Sequence, residues 1–283
     1  MHFKLNLNLY FSSHQTKLYY TPTSCGAASF IAAYVANVSL ESEQVDLREH
    51  KTASGADFYK INPKGNVPCL ILDDGTILNE NAAVLQYIAD QAPGTVAPES
   101  GANGRYMVQN VLNYISSEVH ASIGGLFNPT ITPEVRAFVL AGYLKKISYV
   151  NDVILSGSDF VVGKSSTIAD FYLYITLTWT GFLGIDISPY PNVCAFLERV
   201  KSLPKIIEAH ALMATSPTHT AWLVSPHPYV FANFEDVDNF PKVVDFHALM
   251  GIDPTHIIWV IPYHPWDMTV ASAFQYPWWD FFY

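Results

Sequence analysis

The chain has 283 residues, half of them apolar and only 14% charged, with 25 acidic and 15 basic side chains and a net charge of −10. That length suits two domains, and the apolar content excludes a disordered chain. The acidic balance argues against nucleic acid or an anionic membrane surface as the main partner, because phosphate binding needs clustered Lys and Arg. Three cysteines, Cys25, Cys69 and Cys194, are too scattered for a disulfide framework or zinc spacing, so a reducing, cytoplasmic setting without a metal is the expectation.

Residues 1–16 form an N-terminal extension in which Phe3, Leu5, Leu7, Leu9 and Phe11 alternate with polar positions. The interleaved Asn residues break the apolar run that a secretory signal needs, and no stretch reaches the roughly 18 apolar residues of a membrane span. Lys17–Tyr20 reads as a short aromatic strand, followed by the loop Thr21-Pro22-Thr23-Ser24. From Cys25, small and apolar residues at helical spacing predict a helix that stops at Asn37. Glu43–Leu47 reads as a strand, Ser54–Tyr59 as a short helix and Asn62-Pro63-Lys64-Gly65 as a turn. Val67–Leu72 and Thr76–Leu78 flank Asp73-Asp74-Gly75, a hairpin signal, and Asn79-Glu80-Asn81 introduces a helix over Ala82–Ala89.

Residues 93–104 have linker composition, with Pro93, Gly94, Pro98 and Gly101. Beyond them the pattern is helical: Arg105–Val119, Pro133–Ile154, Thr167–Phe182 and Asn192–Leu203. Thr167-Ile-Ala-Asp170 spells a capping box with Asp in place of Glu. Residues 216–283 change character: 221–283 hold five of the six Trp, seven Pro and one basic residue, Lys242. That composition predicts an irregular strap that buries its aromatics, not a further domain.

Three features carry chemistry. Cys25 follows a strand and a Pro-containing loop at the start of a helix, where backbone N–H groups and the dipole favour a thiolate. Cys69, inside an apolar strand, and Cys194 read as structural. Val67-Pro68 lies between a turn and a strand; a cis bond there would turn the Val67 backbone toward the Cys25 loop, ready for an extended peptide-like ligand. Glu80-Asn81 precedes a helix, so the helix start with Asn81 suits a carboxylate while Glu80 suits an ammonium. Simple capping explains that pair equally well. Together the three describe a pocket for a small zwitterionic peptide that carries a thiol.

Lys17-Leu-Tyr-Tyr-Thr-Pro-Thr-Ser-Cys25, Val45-Asp-Leu47, Asn62-Pro-Lys-Gly-Asn-Val-Pro68, Leu72-Asp-Asp-Gly-Thr76 and Gln86-Tyr-Ile-Ala-Asp90 resemble a beta-class glutathione transferase, as do Leu112-Asn-Tyr-Ile-Ser-Ser-Glu-Val-His120 and Thr167-Ile-Ala-Asp170. The resemblance spans about residues 17–215. It implies an α/β thioredoxin-like domain over 17–92, an all-α domain over 105–215 and a homodimer. It implies that Cys25 faces the sulfur of glutathione, the co-substrate, and exchanges with it. It implies glutathione contacts at Leu47, His50, Asn66, Val67, Pro68, Glu80, Asn81, Asn113, Ser117 and His120, some reaching from across the dimer. Tyr114 and Trp179 are expected to wall the pocket for a small hydrophobic electrophile.

The sequence departs from the family at four positions, one of them Asn81, where the family usually has Ser or Gly. Gly26 stands where a small polar residue follows the cysteine, Phe30 where a histidine lies five residues on, and His50 where a basic residue meets the glycyl carboxylate. The implied activity is conjugation of glutathione to electrophiles or glutathione-dependent thiol exchange. The alternative is a non-catalytic binding protein built on the same fold.

Overall fold

A computed structural model describes residues 16–214 of the chain. The expectations for residues 1–15 and for the aromatic stretch from 215 onward lie outside those residues.

Five strands, β1 (Lys17–Tyr20), β2 (Glu41–Asp46), β3 (Lys51–Thr52), β4 (Cys69–Ile71) and β5 (Ile77–Leu78), form one mixed sheet in the order β3-β2-β1-β4-β5. β1 pairs parallel with β2 and antiparallel with β4. Being central, β1 is buried on both faces, which is why its sequence is a run of Leu and Tyr. Leu18 and Tyr20 join the main core with Leu70, while Tyr19 meets Val45, Leu47, Phe58, Val67 and Cys69 on the opposite face. The two-residue side-chain period splits the strand between these cores.

Seven of the eleven residues of α1 (Gly26–Ala36) are Gly, Ala or Ser, so α2 (Asn81–Gln91), α6 (Ile168–Phe182) and α8 (Pro204–Ala214) all pack closely on it. Asn37 ends α1 in the left-handed conformation, at φ 55°, and its N–H bonds the Ala33 and Tyr34 carbonyls. Phe30, at the position of the expected histidine, stacks on Tyr20 with ring centroids 4.8 Å apart. Where a short helix is predicted over Ser54–Tyr59, there is instead a single 3₁₀ turn, Phe58–Lys60, preceded by β3. The two-residue β3 is too short to show a period.

α3 (Asn103–Tyr114) runs into a π-helical stretch, Ile115–His120, and then α4 (Ala121–Gly124). α5 (Pro133–Tyr149) continues likewise into a π stretch, Val150–Ile154, and α7 spans Pro191–Lys201. A π turn admits one extra residue and rotates everything after it. Apolar periodicity alone does not reveal that, and α8, whose Pro204 occupies the first turn, is not anticipated.

The linker is not loose. Val96 and Ala97 are buried, and the Val96 carbonyl accepts from the Ile168 N–H at the start of α6. Buried Arg105 pairs with Asp90 at 2.9 Å and donates to the Gln86 and Pro98 carbonyls. One core therefore runs from the sheet through α1 into α6. At the start of α6 the capping box forms: Asp170 accepts from the Thr167 N–H (2.7 Å), the Thr167 hydroxyl (2.8 Å) and the Val161 N–H (2.8 Å).

Candidate functional site

Cys25 caps the N-terminus of α1 and is buried. The preceding loop is pinned at both ends. The Ser24 hydroxyl donates to the Thr21 carbonyl at 2.8 Å and accepts from the Gly26 N–H at 3.1 Å. Trp179 of α6 donates its indole N–H to the Thr23 carbonyl at 3.0 Å. Gly26 lies against this loop so closely that an added Cβ would stand 3.2 Å from Tyr20 and 3.4 Å from the Pro68 nitrogen. A glycine after the cysteine therefore brings the helix start against the Pro68 loop.

The Cys25 thiol donates to the Val67 carbonyl at 3.4 Å. Burial pushes it up to about 12, and the negative charge of Glu80 adds to that; its own N–H and that of Gly26 pull the other way without prevailing. The helix start thus acts in the expected direction, but burial outweighs it, and the group is a thiol and not the expected thiolate.

The Val67–Pro68 bond is cis. Asn62, fully buried, organises the loop that carries it. Its amide nitrogen donates to the Asn66 carbonyl (2.7 Å) and side-chain oxygen (2.9 Å), and its oxygen accepts from Asn79 (2.9 Å). Gly65 has φ +70°, and a Cβ there would collide with the Tyr59 ring at 2.5 Å, so the turn requires glycine. Tyr59 in turn stacks on His50, its hydroxyl 3.1 Å from Nε2. His50 adopts φ 47° and keeps a buried Nδ1 without a partner. Leu47 is buried beside Val67 in the smaller core, so only its backbone is available to a ligand.

At the start of α2, Glu80 extends into solvent and pairs with Lys64. Asn81 is buried, its oxygen accepting from the Ser29 hydroxyl of α1 at 2.7 Å. Asn81 and Ser116 lie near the hydroxyl of Tyr172, which burial and then the neighbouring Cys25 hold protonated well above its ordinary range. Tyr172 meets His120 Nδ1 at 2.7 Å. His120, at the end of the first π stretch, packs edge-on to Trp179, and Trp179 packs edge-on to Phe127. Burial pushes this imidazole down to about 4, so it is neutral at ordinary pH.

Cys25, Val67, Pro68, Glu80, Asn81, His120 and Trp179 are thus gathered, with Asn66 on the loop before Val67 and His50 on the turn between β2 and β3, stacked on Tyr59. Asn113 and Ser117 are not: both are exposed, and the Ser117 hydroxyl is spent on the Asn113 carbonyl at 2.8 Å. Tyr114 sits in the seam between α3 and α5, bonded to the Lys146 carbonyl and packed on Tyr149. Tyr172 and Asn62 are members that sequence reasoning missed. Tyr172 lies seven residues before Trp179, hence on the same helix face, and that spacing is the available signal. Among the described residues, no three His, Cys, Asp or Glu side chains are grouped as metal ligands, and no helix is long and apolar enough to cross a membrane.

The sequence matches the family described as Glutathione S-transferase, N-terminal domain, over residues 14–90, and Glutathione S-transferase, C-terminal domain, over residues 118–211. The chain belongs to the glutathione S-transferase family. It is 35% identical over 195 residues to Glutathione S-transferase GstA of Escherichia coli O157:H7, covering 68% of this chain and 96% of that one. Among solved structures it is similar to the ternary complex of BphK, a bacterial GST, at 40% identity and TM-score 0.67, over 70% of this chain and 99% of that one. The bacterial beta-class glutathione S-transferase of Sphingomonas chungbukensis follows at 33% identity and TM-score 0.66, over 71% of this chain and all of that one.

Proposed function

We propose that this glutathione S-transferase conjugates glutathione to small apolar electrophiles, with the Cys25 thiol serving as a hydrogen-bond donor to the glutathione sulfur. The observation that carries this reading is the protonated Cys25 held at 3.4 Å from the Val67 carbonyl. A thiol with its pKa raised by burial is a poor nucleophile and a serviceable donor.

The glutathione cysteinyl backbone pairs with Val67, and its N–H then shares the carbonyl that Cys25 now occupies, freeing the thiol for the ligand's sulfur. The start of α2 with Asn81 receives the γ-glutamyl carboxylate and Glu80 its ammonium. The glycyl end runs along Asn66 toward His50 and the backbone of Leu47. The ligand thiol releases its proton to solvent, the thiolate attacks the electrophilic carbon, and the leaving group departs with its electron pair. Phe127, edge-on to Trp179 and stacked on Phe182, supplies the apolar wall with them.

The exposed face of α3 supports a homodimer. Tyr106, Asn110 and Asn113 lie at helical spacing on it and all are exposed. Asn113 and Ser117 then act across the dimer and not within one chain. All three cysteines are free, which suits a cytoplasmic protein.

The test is turnover of a panel of electrophiles and disulfides with glutathione, for wild type and Cys25→Ala. Conjugation that survives in Cys25→Ala at a rate lowered about tenfold fits a donor role. Abolished conjugation with an isolable Cys25–glutathione disulfide on the reaction path would make Cys25 the nucleophile.

A further inference from the structure

We propose that Tyr172 is a positioning residue: its hydroxyl donates to His120 Nδ1 and so fixes the imidazole as the Nε2–H tautomer, with that N–H as a donor to the glutathione sulfur. The target of the donor rests on the glutathione-transferase reading above; the tautomer does not.

Tyr172 is 1% exposed, and its oxygen lies 2.7 Å from His120 Nδ1. A neutral imidazole carries one N–H, so that contact has two forms. Either Nδ1–H donates to the phenol oxygen, or the phenol O–H donates to Nδ1. The surroundings decide.

Asn81 cannot present its oxygen to Tyr172, because that oxygen accepts from the buried Ser29 hydroxyl at 2.7 Å. What remains is its amide nitrogen, buried and without a partner at hydrogen-bond distance, facing the Tyr172 oxygen at longer range. With the Asn81 amide nitrogen, which can only donate, on its acceptor side, the phenol directs its own proton to Nδ1. His120 then keeps its single hydrogen on Nε2, at the other side of the ring.

The donors run in one direction: Ser29 to Asn81, Asn81 toward Tyr172, and Tyr172 to His120. They come from α1, α2, α6 and the π stretch after α3. The charged or titratable groups near Tyr172 are Cys25, a thiol, and Glu80, which is exposed and paired with Lys64. The edge-on contacts of His120 with Tyr172 and Trp179 fix the ring plane as the hydrogen bond fixes the proton. Asn81, on the glutamyl side, and His120, on the sulfur side, thereby share one buried relay.

The test has two readouts. Nitrogen-15 NMR of the imidazoles in the full chain should show His120 of the wild type as the Nε2–H tautomer alone, and Tyr172→Phe as a mixture containing Nδ1–H. Kinetics should show Tyr172→Phe lowering kcat about tenfold with KM for glutathione changed less than about twofold. The same substitution placed on His120→Ala should cost less than about twofold more, because its effect passes through the missing ring. An Nδ1–H tautomer in the wild type would overturn the proposal, even where Tyr172→Phe fails to fold. So would an undiminished loss on the His120→Ala background. Lack of any glutathione-dependent turnover in the wild type would overturn the functional reading and the target of the donor. The wrong tautomer in an active enzyme would overturn the positioning role alone.

Discussion

The thiol of Cys25 donates a 3.4 Å hydrogen bond to the carbonyl of Val67, and both residues are buried. A thiolate would find no stabilisation from that carbonyl, so the contact and the raised pKa of about 12 agree. In the absence of glutathione, Cys25 should react with iodoacetamide at neutral pH at least a hundredfold more slowly than an exposed cysteine, and faster as the pH rises. The check is mass-spectrometric labelling against time. A rate at pH 7 equal to that of a free thiol would mean the site activates Cys25 on its own.

Glu80 combines with Lys64 at the mouth of the site, its side chain 67% exposed. An exposed carboxylate that already has a cation contributes modestly to holding a ligand ammonium. Glu80→Ala is expected to weaken glutathione binding by roughly 1 kcal/mol, about fivefold in Kd. A loss above about a hundredfold in titration calorimetry would show that the ligand buries this carboxylate far more than its setting suggests.

Asn62 uses both ends of its side chain to shape the turn before Val67, contacting Asn66, Lys64 and Asn79. Asn62→Ala leaves the half-buried groups of Asn66 and Asn79 without their partner. It should cost about 2–3 kcal/mol of stability by urea denaturation and loosen the segment that meets the ligand backbone. A change within 0.5 kcal/mol, roughly the scatter of surface substitutions, would remove Asn62 from that role.

Two buried groups give stability opposite slopes with pH. His120 is held neutral, down from 6.5 to about 4, so its contribution is present above 6.5 and drains as the pH falls through 4. Burial raises Asp170 from 3.8 to about 6, so its contribution is full below 3.8 and is lost as the pH rises through 6. Between pH 4 and 6.5 the two oppose. Asp170→Asn should therefore lose stability more steeply than wild type on acidification, and His120→Gln should gain relative to it. Urea midpoints measured across that range provide the check; parallel curves for all three proteins would contradict these assignments.

Much of the fold is legible because its signals are local. The Asn37 stop, the Asp73-Asp74-Gly75 turn and the Thr167–Asp170 box depend on neighbours within a few residues, and all form. β3 and the π stretches are not legible, since they arise from pairing and packing beyond any short window. Cys25, Val67 and Glu80 stand out by their position against loops and helix starts. Tyr172 does not, because an aromatic residue in an apolar helix reads as core, and only the side chains of Ser29, Asn81 and His120 around it give its hydroxyl a purpose. Burial also reversed the charge expected at Cys25, and burial is a property of the assembled fold.

Glutathione titration by isothermal calorimetry, on the wild type, Cys25→Ala and the double variant Glu80→Ala/Asn81→Ala, tests the central assignment most directly. One saturable site per chain is expected in the wild type, with Cys25→Ala within about threefold of it, since the cysteine meets only the sulfur. The double variant, folded by circular dichroism, should bind at least tenfold more weakly. Unchanged binding by that variant, or none by the wild type, would contradict a glutathione site built on Val67 and the start of α2.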